Sequence, residues 1–308
     1  MSPAALAIHG GAGLIRRESL SPERERACTH SLHAIMEAVK SQLDAGMSAL
    51  DAVEEAVIRL EDDPLFNAGR GEVNNTEEGI EFDASIMDGT TGDLGALGGV
   101  RFVRNPITLA RVIMEKTPHV MLGGVGAEEV ARRFGLPMED LAYFHVEERL
   151  EQLRRAKETG AFTLDHDDDS DDVYGTVGAV ALDIHGNLAA ATSTGGMTGK
   201  PDGRIGDTAI IGAGTWADDQ VAISCTGVGE AFIRTCAAHE VATQIRLGQD
   251  LEFACSNMLE MVAPLGGRGG VIAVDSEGNV SVPFQTMLMY RAIWKDGQKK
   301  IGIGPSWV

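Results

Sequence analysis

Alternating and helical hydrophobic patterns divide the first half of the chain into short strands and amphipathic helices. The apolar run Ala4–Ile8 predicts a buried strand. Ser21 followed by Pro22 predicts a helix that begins at this serine and stops near Gly46. Ser48 with Asp51 three residues later predicts a second helix start. Apolar residues then recur at helical spacing: Ala52, Val53, Ala56, Val57 and Leu60.

The same patterns predict further elements up to the middle of the chain. A loop rich in Gly and Asn is predicted at Leu65–Gly71, and strands at Ile80–Met87 and Leu94–Val103. Helices are predicted at Pro106–Lys116, Gly126–Phe134 and Glu147–Lys157.

A dense acidic run, Asp165–Asp172, separates the two halves and predicts a mobile linker over residues 158–175. Directly after it, Thr176–Asp183 and Leu188–Ser193 are small, apolar and β-branched around a turn at His185–Asn187, which predicts a buried hairpin. The elements predicted beyond it are strands at Thr208–Ile211 and Val221–Ser224, helices at Glu230–Arg246 and Leu251–Val262, and a hairpin over Gly270–Val282.

Strands and helices occur in blocks, and the hairpins imply antiparallel pairing. This order predicts an α+β layered fold, formed as a single domain over residues 1–308, rather than a doubly wound sheet. We expect helices to cover the outer faces of a pair of sheets.

Composition narrows the classes of partner. The chain has 26 Lys and Arg against 46 Asp and Glu, a formal charge of −20, which argues against nucleic-acid and anionic membrane partners. Its four cysteines are scattered without a CxxC pair, so a reducing compartment is expected. The N-terminus lacks the basic and apolar regions of a signal peptide, and no window reaches the apolar length of a membrane span. We therefore expect a cytoplasmic protein.

The Gly175–Thr176 junction is the first candidate for chemistry, because an acidic linker ends there and a buried strand begins. Cleavage before Thr176 would give this residue a free α-amine beside its hydroxyl. Such an amine has a pKa of roughly 7.7–8.0 and can take the hydroxyl proton, which makes one residue both nucleophile and base. On spacing alone, the better interpretation of Thr176 is a β-branched residue that opens a strand.

Seven motifs that follow one another along the chain favour the catalytic interpretation of Thr176. They are His9-Gly-Gly-Ala-Gly13, Phe66-Asn-Ala-Gly69, Asp83-Ala-Ser-Ile-Met-Asp-Gly89, Gly175-Thr-Val-Gly-Ala-Val-Ala-Leu-Asp183, Ala191-Thr-Ser-Thr-Gly-Gly196, Gly203-Arg-Ile-Gly-Asp207 and Cys225-Thr-Gly-Val-Gly-Glu230. Together they closely resemble the plant-type (type III) L-asparaginase and isoaspartyl peptidase family of N-terminal-nucleophile (Ntn) hydrolases. The likeness extends from His9 to about Arg291.

The resemblance implies a four-layer αββα sandwich that cuts itself into residues 1–175 and 176–308 and assembles as a dimer of such heterodimers. It implies hydrolysis of isoaspartyl dipeptides and L-asparagine with release of L-aspartate. Thr176 matches the nucleophile, and Thr194 matches the threonine beside it. Arg204 and Asp207 match the residues that hold the α-carboxylate and α-ammonium of the aspartyl group, a role that suits a guanidinium fork and a carboxylate.

By the same resemblance, the Thr226 hydroxyl and the Gly227 amide form the oxyanion hole, which supplies the two donors that acyl transfer requires. Gly229 matches a residue whose carbonyl helps to bind the substrate amine. No cofactor for the chemistry is implied. The family wraps a sodium ion in a loop that positions an asparagine, here Asn67, and the matching backbone carbonyls are those of Leu60, Glu61, Asp63, Phe66, Ala68 and Arg70.

Several alternatives stay open at this point. A glycosylasparaginase-like hydrolase and a non-catalytic relative that never matures both fit the motifs. The acidic run with His166 could bind a divalent metal, although it lacks the fixed ligand spacing of known calcium loops. Relatives carry a Pro-Phe-Asn-Thr-x-Gly-Met-Tyr-Arg-like segment, where this chain has Gln285, Met287 and Leu288 within Pro283–Arg291. If this segment lines the mouth of the site, the departure affects the leaving group.

Overall fold

A computed structural model describes residues 4–13, 20–73, 75–76, 79–146, 154 and 175–307. In these residues, helices and two β-sheets form a mixed α and β structure. Its first elements are β1 (Ala5–Gly13), α1 (Pro22–Asp44), α2 (Ala49–Glu61), β2 (Phe82–Asp88), β3 (Leu94–Val100), α3 (Pro106–Lys116), β4 (Met121–Gly123), α4 (Gly124–Arg133) and α5 (Leu141–Phe144).

The elements from Thr176 onwards complete both sheets. They are β5 (Thr176–Leu182), β6 (Leu188–Thr194), β7 (Thr215–Ala217), β8 (Val221–Gly227), α6 (Gly229–Thr235), α7 (Ala237–Arg246), α8 (Leu251–Val262), β9 (Gly269–Asp275), β10 (Val280–Ser281), β11 (Leu288–Lys295) and β12 (Gln298–Gly302). Short 3-10 turns lie at Gly69–Gly71, Asp207–Ala209 and Ala263–Leu265.

The larger sheet has eight strands in the order β12-β11-β1-β5-β6-β2-β3-β4, and the smaller has four in the order β10-β9-β8-β7. Every neighbouring pair is antiparallel except β3 with β4. The hairpin expected around His185–Asn187 is present as β5 and β6, which lie at the centre of the larger sheet.

Alternation along the central strands separates the cores on the two faces of the larger sheet. On β1, Leu6 and Ile8 join the core that also contains residues of α1, α2 and α3, whereas Ala5 and Ala7 face the second sheet. Many side chains between the sheets are alanines, which lets the two sheets approach closely. The outer face of the smaller sheet packs against α6, α7 and α8 through another core.

The two predicted helix starts are confirmed. The Ser21 hydroxyl accepts the backbone N–H of Arg24 at 3.1 Å, with Pro22 in the first turn of α1. The Ser48 hydroxyl accepts the N–H of Asp51 at 3.1 Å at the start of α2. These caps satisfy amides that have no partner inside their helices, and they fix where each helix begins.

Two predicted elements are wrong. The strand expected at Thr208–Ile211 is a 3-10 turn over Asp207–Ala209, in which the N–H of Ile210 binds the Asp207 carbonyl at 2.9 Å. The single helix expected at Glu230–Arg246 is two helices. They are separated at Cys236, where φ is 49°, a left-handed conformation that an unbroken α-helix cannot contain.

The predicted helix at Glu147–Lys157 and the predicted linker lie outside the described residues, apart from Arg154 and Gly175. The acidic run Asp165–Asp172 lies outside them as well. No helix in the described ranges combines the length and apolar character needed to cross a membrane.

Candidate active site

Thr176 and Thr194 meet at the end of the central hairpin. Thr176 is the first residue of β5 and Thr194 the last of β6, and the two are paired across the strands. The Thr176 Oγ1–H donates to Thr194 Oγ1 at 3.2 Å, and Thr194 Oγ1 also accepts the N–H of Gly196 at 2.9 Å. Thr176 is only 7% exposed, so its hydroxyl is oriented by protein groups rather than by bulk water.

Asn67 lies directly against the Gly175–Thr176 junction. A Cβ atom on Gly175 would come within 2.5 Å of the Asn67 Cβ, so only glycine fits without displacing a neighbour. The Asn67 side chain is held at both ends. Its Nδ2 donates to the Gly196 carbonyl at 2.7 Å, and its Oδ1 accepts the N–H of Val73 at 2.9 Å.

A small pocket opens in front of Thr176. It is lined by Gly175, Thr176, Thr194, Gly196, Met197, Arg204, Gly206, Asp207 and Gly227. The structure therefore brings six of the residues predicted for the site to one cavity. Thr226, Gly229 and Asn67 are not part of the lining, but each adjoins a residue that is: Gly227, Arg204 and Gly175, respectively.

Asp207 presents an unsatisfied carboxylate oxygen at this pocket. The residue is 4% exposed, and its Oδ2 has no hydrogen-bond partner among the described residues. Burial raises the pKa of Asp207 to about 7, and the nearby Arg204 guanidinium offsets this only partly. A cationic group of a ligand is the partner that would complete this arrangement.

Arg204 is held by a carboxylate that sequence reasoning did not assign. Its Nε and Nη2 donate to the two oxygens of Glu230 at 3.0 and 2.9 Å, a bidentate pair. Burial lowers the pKa of the guanidinium, but Glu230 together with Asp207 and Asp83 outweighs this effect and the pKa is raised overall. The sequence could have indicated this role, because Glu230 is the last residue of the Cys225–Glu230 motif.

A buried charged cluster braces the loop that carries Arg204 and Asp207. The Asp83 carboxylate accepts the N–H groups of Gly99 and Gly206 at 3.1 and 3.0 Å. Lys200, 4% exposed, donates through Nζ to the Glu81 carbonyl at 2.6 Å. Burial raises the pKa of Asp83 and lowers that of Lys200, and each charge partly offsets the effect on the other.

The end of β8 and the start of α6 close the other side of the pocket. The Thr226 hydroxyl is fully buried and accepts the N–H of Ala12 at 3.3 Å. Gly227 has a φ of 152°, and a Cβ there would lie 2.4 Å from the Arg268 carbonyl oxygen. A Cβ on Gly229 would lie 3.0 Å from Arg204 Nη2 and from Asp207 Oδ1. Both glycines permit a close approach that a side chain would block.

The loop from Leu60 to Arg70 places backbone carbonyls around two glycines. A Cβ on Gly69 would approach the Glu61 carbonyl oxygen to 2.5 Å, and one on Gly71 would approach that of Phe66 to 2.0 Å. The carbonyls of Asp63 and Ala68 accept N–H groups within the same loop at 3.3 Å each. Oxygen atoms gathered in this way are compatible with a hard cation.

The divergent segment near the C-terminus does not reach the pocket lining. The N–H of Gln285 binds the Gly269 carbonyl at 2.8 Å, Leu288 is buried, and Met287 is exposed. Among the described residues, none from Pro283 to Leu288 is part of the lining. Its bulkier side chains therefore do not fill the space in front of Thr176.

Comparison with known proteins gives matches along nearly the whole chain. A family model described as asparaginase matches residues 1–303. Isoaspartyl peptidase of Escherichia coli (strain K12) is 50% identical over 298 residues, which cover 95% of this chain and 93% of the relative. Isoaspartyl peptidase/L-asparaginase of Macaca fascicularis is 42% identical over 311 residues, which cover 99% of this chain and 97% of the relative. Plant-type L-asparaginase of Pyrococcus abyssi is 41% identical over 313 residues, which cover 96% of this chain and 98% of the relative.

Proposed function

This chain belongs to the asparaginase family, and we propose that it hydrolyses isoaspartyl (β-aspartyl) dipeptides and L-asparagine, releasing L-aspartate. The enzyme is a hydrolase whose nucleophile is Thr176, freed as an N-terminal residue by cleavage after Gly175. The observation that supports this most directly is the Thr176–Thr194 hydroxyl pair, which faces Arg204 and Asp207 across one pocket.

The pocket suits an aspartyl head group. The substrate carries an α-carboxylate and an α-ammonium on one carbon, and Arg204 and Asp207 offer the opposite charges side by side. The unpaired Oδ2 of Asp207 takes the ammonium, and the guanidinium, already aligned by Glu230, takes the carboxylate. Two ion pairs on one carbon fix the orientation of the β-carbonyl in front of Thr176.

The acylation step follows from this placement. The Thr176 α-amine accepts the hydroxyl proton, directly or through water, while Oγ1 bonds to the β-carbonyl carbon. The carbonyl electrons move to oxygen, and the Gly227 amide with the Thr226 hydroxyl stabilises that charge. When the carbonyl re-forms, the C–N bond breaks and the amine leaves with the transferred proton. Water then attacks the aspartyl ester and gives one proton to the Thr176 α-amine. When this intermediate collapses, aspartate is released and the proton from water passes to Thr176 Oγ1.

The same hydroxyl accounts for maturation. In the uncut chain, Thr176 Oγ1 attacks the carbonyl carbon of Gly175, and its proton passes to the peptide nitrogen. The C–N bond between Gly175 and Thr176 then breaks, which leaves an ester and a free amine. Hydrolysis of that ester yields residues 1–175 and 176–308. Asn67, packed against Gly175, holds the scissile carbonyl in place. The fold proposed for this chemistry is the four-layer αββα sandwich of Ntn hydrolases, which the two packed sheets with helices on their outer faces support.

A sodium ion and a second copy of the chain complete the proposal. The ion would be held by the backbone carbonyls of the Leu60–Arg70 loop and would supply no reaction chemistry, only a fixed position for Asn67. Self-association as a dimer of heterodimers is supported by apolar residues beside the free edge of the larger sheet, since Val120, Met121 and Val125 are 58%, 45% and 70% exposed.

A substrate panel tests the proposed activity. Purified, matured protein is assayed for aspartate release from β-aspartyl dipeptides, L-asparagine and an N-glycosylated asparagine, with α-aspartyl dipeptides as the control. We expect release from the first two substrate classes and none from α-aspartyl dipeptides. Activity restricted to the N-glycosylated asparagine would overturn the proposal.

A further inference from the structure

Five buried polar side chains form one continuous hydrogen-bonded chain between the two sheets. They are His9 on β1, Ser85 on β2, Thr192 on β6, Thr215 on β7 and Ser224 on β8, all fully buried. The distances are 2.9 Å from His9 Nε2 to Ser224 Oγ, 2.8 Å from Ser224 to Thr192, 2.5 Å from Thr192 to Thr215, and 2.8 Å from Thr215 to Ser85. We call these residues the inter-sheet relay.

The relay connects the two parts of the candidate site. At one end, Ser85 Oγ lies 2.6 Å from the carbonyl oxygen of Thr208, the residue after Asp207. At the other, His9 is paired with Gly178, two residues beyond Thr176 on the same face of β5. Thr192 likewise lies two residues before Thr194 on β6. The relay thus passes beneath both hydroxyls of the site and ends at the Asp207 turn.

The hydroxyl groups of the relay are linked to one another and to main-chain carbonyls. Ser85 Oγ–H can donate to the Thr208 carbonyl oxygen or to Thr215 Oγ1, and Thr215 Oγ1–H donates to Thr192 Oγ1. Either Thr192 or Ser224 can donate in the next bond, and Thr192 Oγ1–H can also reach the Gly214 carbonyl oxygen at 3.5 Å. His9 Nε2 completes the relay as donor or acceptor, according to the tautomer of the ring.

The His9 ring is neutral in this arrangement. Burial lowers the pKa of His9 to about 3, and the backbone of Thr176 raises it only in part. Its Nδ1 has no hydrogen-bond partner in the described part of the chain. The relay therefore contains no charged group.

Gly178 explains why the relay can lie this close to the nucleophile's strand. A Cβ at this position would lie 2.0 Å from Ser224 Oγ and 2.4 Å from His9 Nε2. The glycine of the Gly-Thr-Val-Gly motif therefore leaves space for the His9–Ser224 hydrogen bond, which is packed directly on β5.

We propose that His9 is a positioning residue, which holds the Thr176 end of β5 in register with the Asp207 turn through the inter-sheet relay. The inference rests on the proposed function, because its main readout is the rate of that reaction. Loss of a hydroxyl in the middle of the relay should change the alignment of Thr176.

Thr192 offers a matched pair of variants. Thr192→Val keeps the shape of the side chain and removes the hydroxyl, whereas Thr192→Ser keeps the hydroxyl and removes a methyl group. If Thr192 mattered only for packing, the serine variant would be the worse of the two. The relay predicts the reverse: a fall in kcat of about 10²-fold for Thr192→Val, as expected for misalignment of reacting groups, and a kcat close to wild type for Thr192→Ser.

Nitrogen NMR of ¹⁵N-histidine-labelled protein gives the second readout. The His9 signals are assigned from their absence in His9→Gln, and the ring should be neutral in the wild type at neutral pH. If Thr192→Val does not fold, Ser224→Ala replaces it for the kcat comparison, with the same expected loss.

The outcomes separate the two claims. A wild-type protein without aspartyl hydrolase activity would overturn the proposed function and leave the charge state of His9 to decide the relay. An active wild type in which His9 is charged would overturn the relay. So would a Thr192→Val variant with wild-type kcat beside an impaired Thr192→Ser.

Discussion

The hydroxyl oxygens of Thr176 and Thr194 lie 3.2 Å apart across paired ends of the two central strands. This relationship follows from the hairpin register rather than from a flexible loop. A shift of one residue would turn Thr176 to the helix-covered face of the sheet. The register therefore determines which hydroxyl faces the pocket.

Removal of the Thr194 hydroxyl should slow the reaction without disturbing the sheet. Thr194→Val leaves Thr176 Oγ1 without its acceptor and the Gly196 N–H without a partner. We expect kcat on a β-aspartyl dipeptide to fall by about 10²-fold, measured on matured protein. Thr194→Ser is the control and should retain most activity, and equal loss in both variants would argue against a role for the hydroxyl.

A side chain at Gly175 should delay self-cleavage. The new methyl group of Gly175→Ala would press on Asn67, which is held on both sides by hydrogen bonds. We expect cleavage at least ~10-fold slower, because the scissile carbonyl is displaced from Thr176. Fragment formation over time on denaturing gels measures this.

Gly126→Ala is the matched control for that experiment. Nothing lies within 4 Å of a Cβ at this position, so cleavage should proceed at the wild-type rate. Unchanged cleavage in Gly175→Ala would contradict the close packing against Asn67.

The activity should depend on pH through Asp207. Because the pKa of Asp207 is raised to about 7, the carboxyl group is neutral below that pH and cannot pair with an ammonium. We expect kcat/KM for β-aspartyl dipeptides to fall as the pH is lowered through about 7. The raised pKa also means that Asp207 contributes to the folding stability below pH ~4, and that this contribution is lost as the pH rises through about 7.

A substrate without the α-amine distinguishes the effect of Asp207 titration from that of the Thr176 α-amine, because the two groups have similar pKa values. A succinyl analogue lacks the α-ammonium, so its kcat/KM should not show the loss that is due to neutral Asp207. If both substrates gave the same pH profile, Asp207 would not be the group that binds the ammonium.

The shape of the Arg204 side chain should matter more than its charge. Arg204→Lys keeps a cation but loses the fork that now binds both Glu230 oxygens. We expect kcat/KM to fall by about 10²-fold, mainly through KM, because the substrate carboxylate loses a bidentate partner. Arg234→Lys, an exposed position on the following helix, should leave both constants unchanged.

Local signals in the sequence were sufficient for the first two helix starts, for the α8 helix and for the two strands that carry Thr176 and Thr194. The caps at Ser21 and Ser48, the hairpin after Gly175 and the helix at Leu251–Val262 are all visible as short-range patterns. The motifs then located the residues that line the pocket. The assignment of roles to Thr176, Arg204 and Asp207 remains a prediction that the experiments above address.

Features that depend on distant parts of the chain were not predictable. The break at Cys236 arises where N–H groups of the next helix bind carbonyls of the Gly212–Ala213 loop. The turn at Asp207–Ala209 replaces a strand because Ser85, 123 positions away, takes the Thr208 carbonyl. The Glu230 partner of Arg204 and the buried Lys200 likewise depend on contacts that only the folded chain creates.

The central claim is that Thr176 becomes an N-terminal nucleophile, and the most direct measurement is intact mass with N-terminal sequencing of purified wild type and Thr176→Ala. The wild type should give two fragments, the smaller beginning Thr-Val-Gly-Ala, together with hydrolysis of β-aspartyl dipeptides. Thr176→Ala should remain one chain without activity. An uncut wild-type chain that hydrolyses these substrates, or a fully active Thr176→Ala, would contradict the claim.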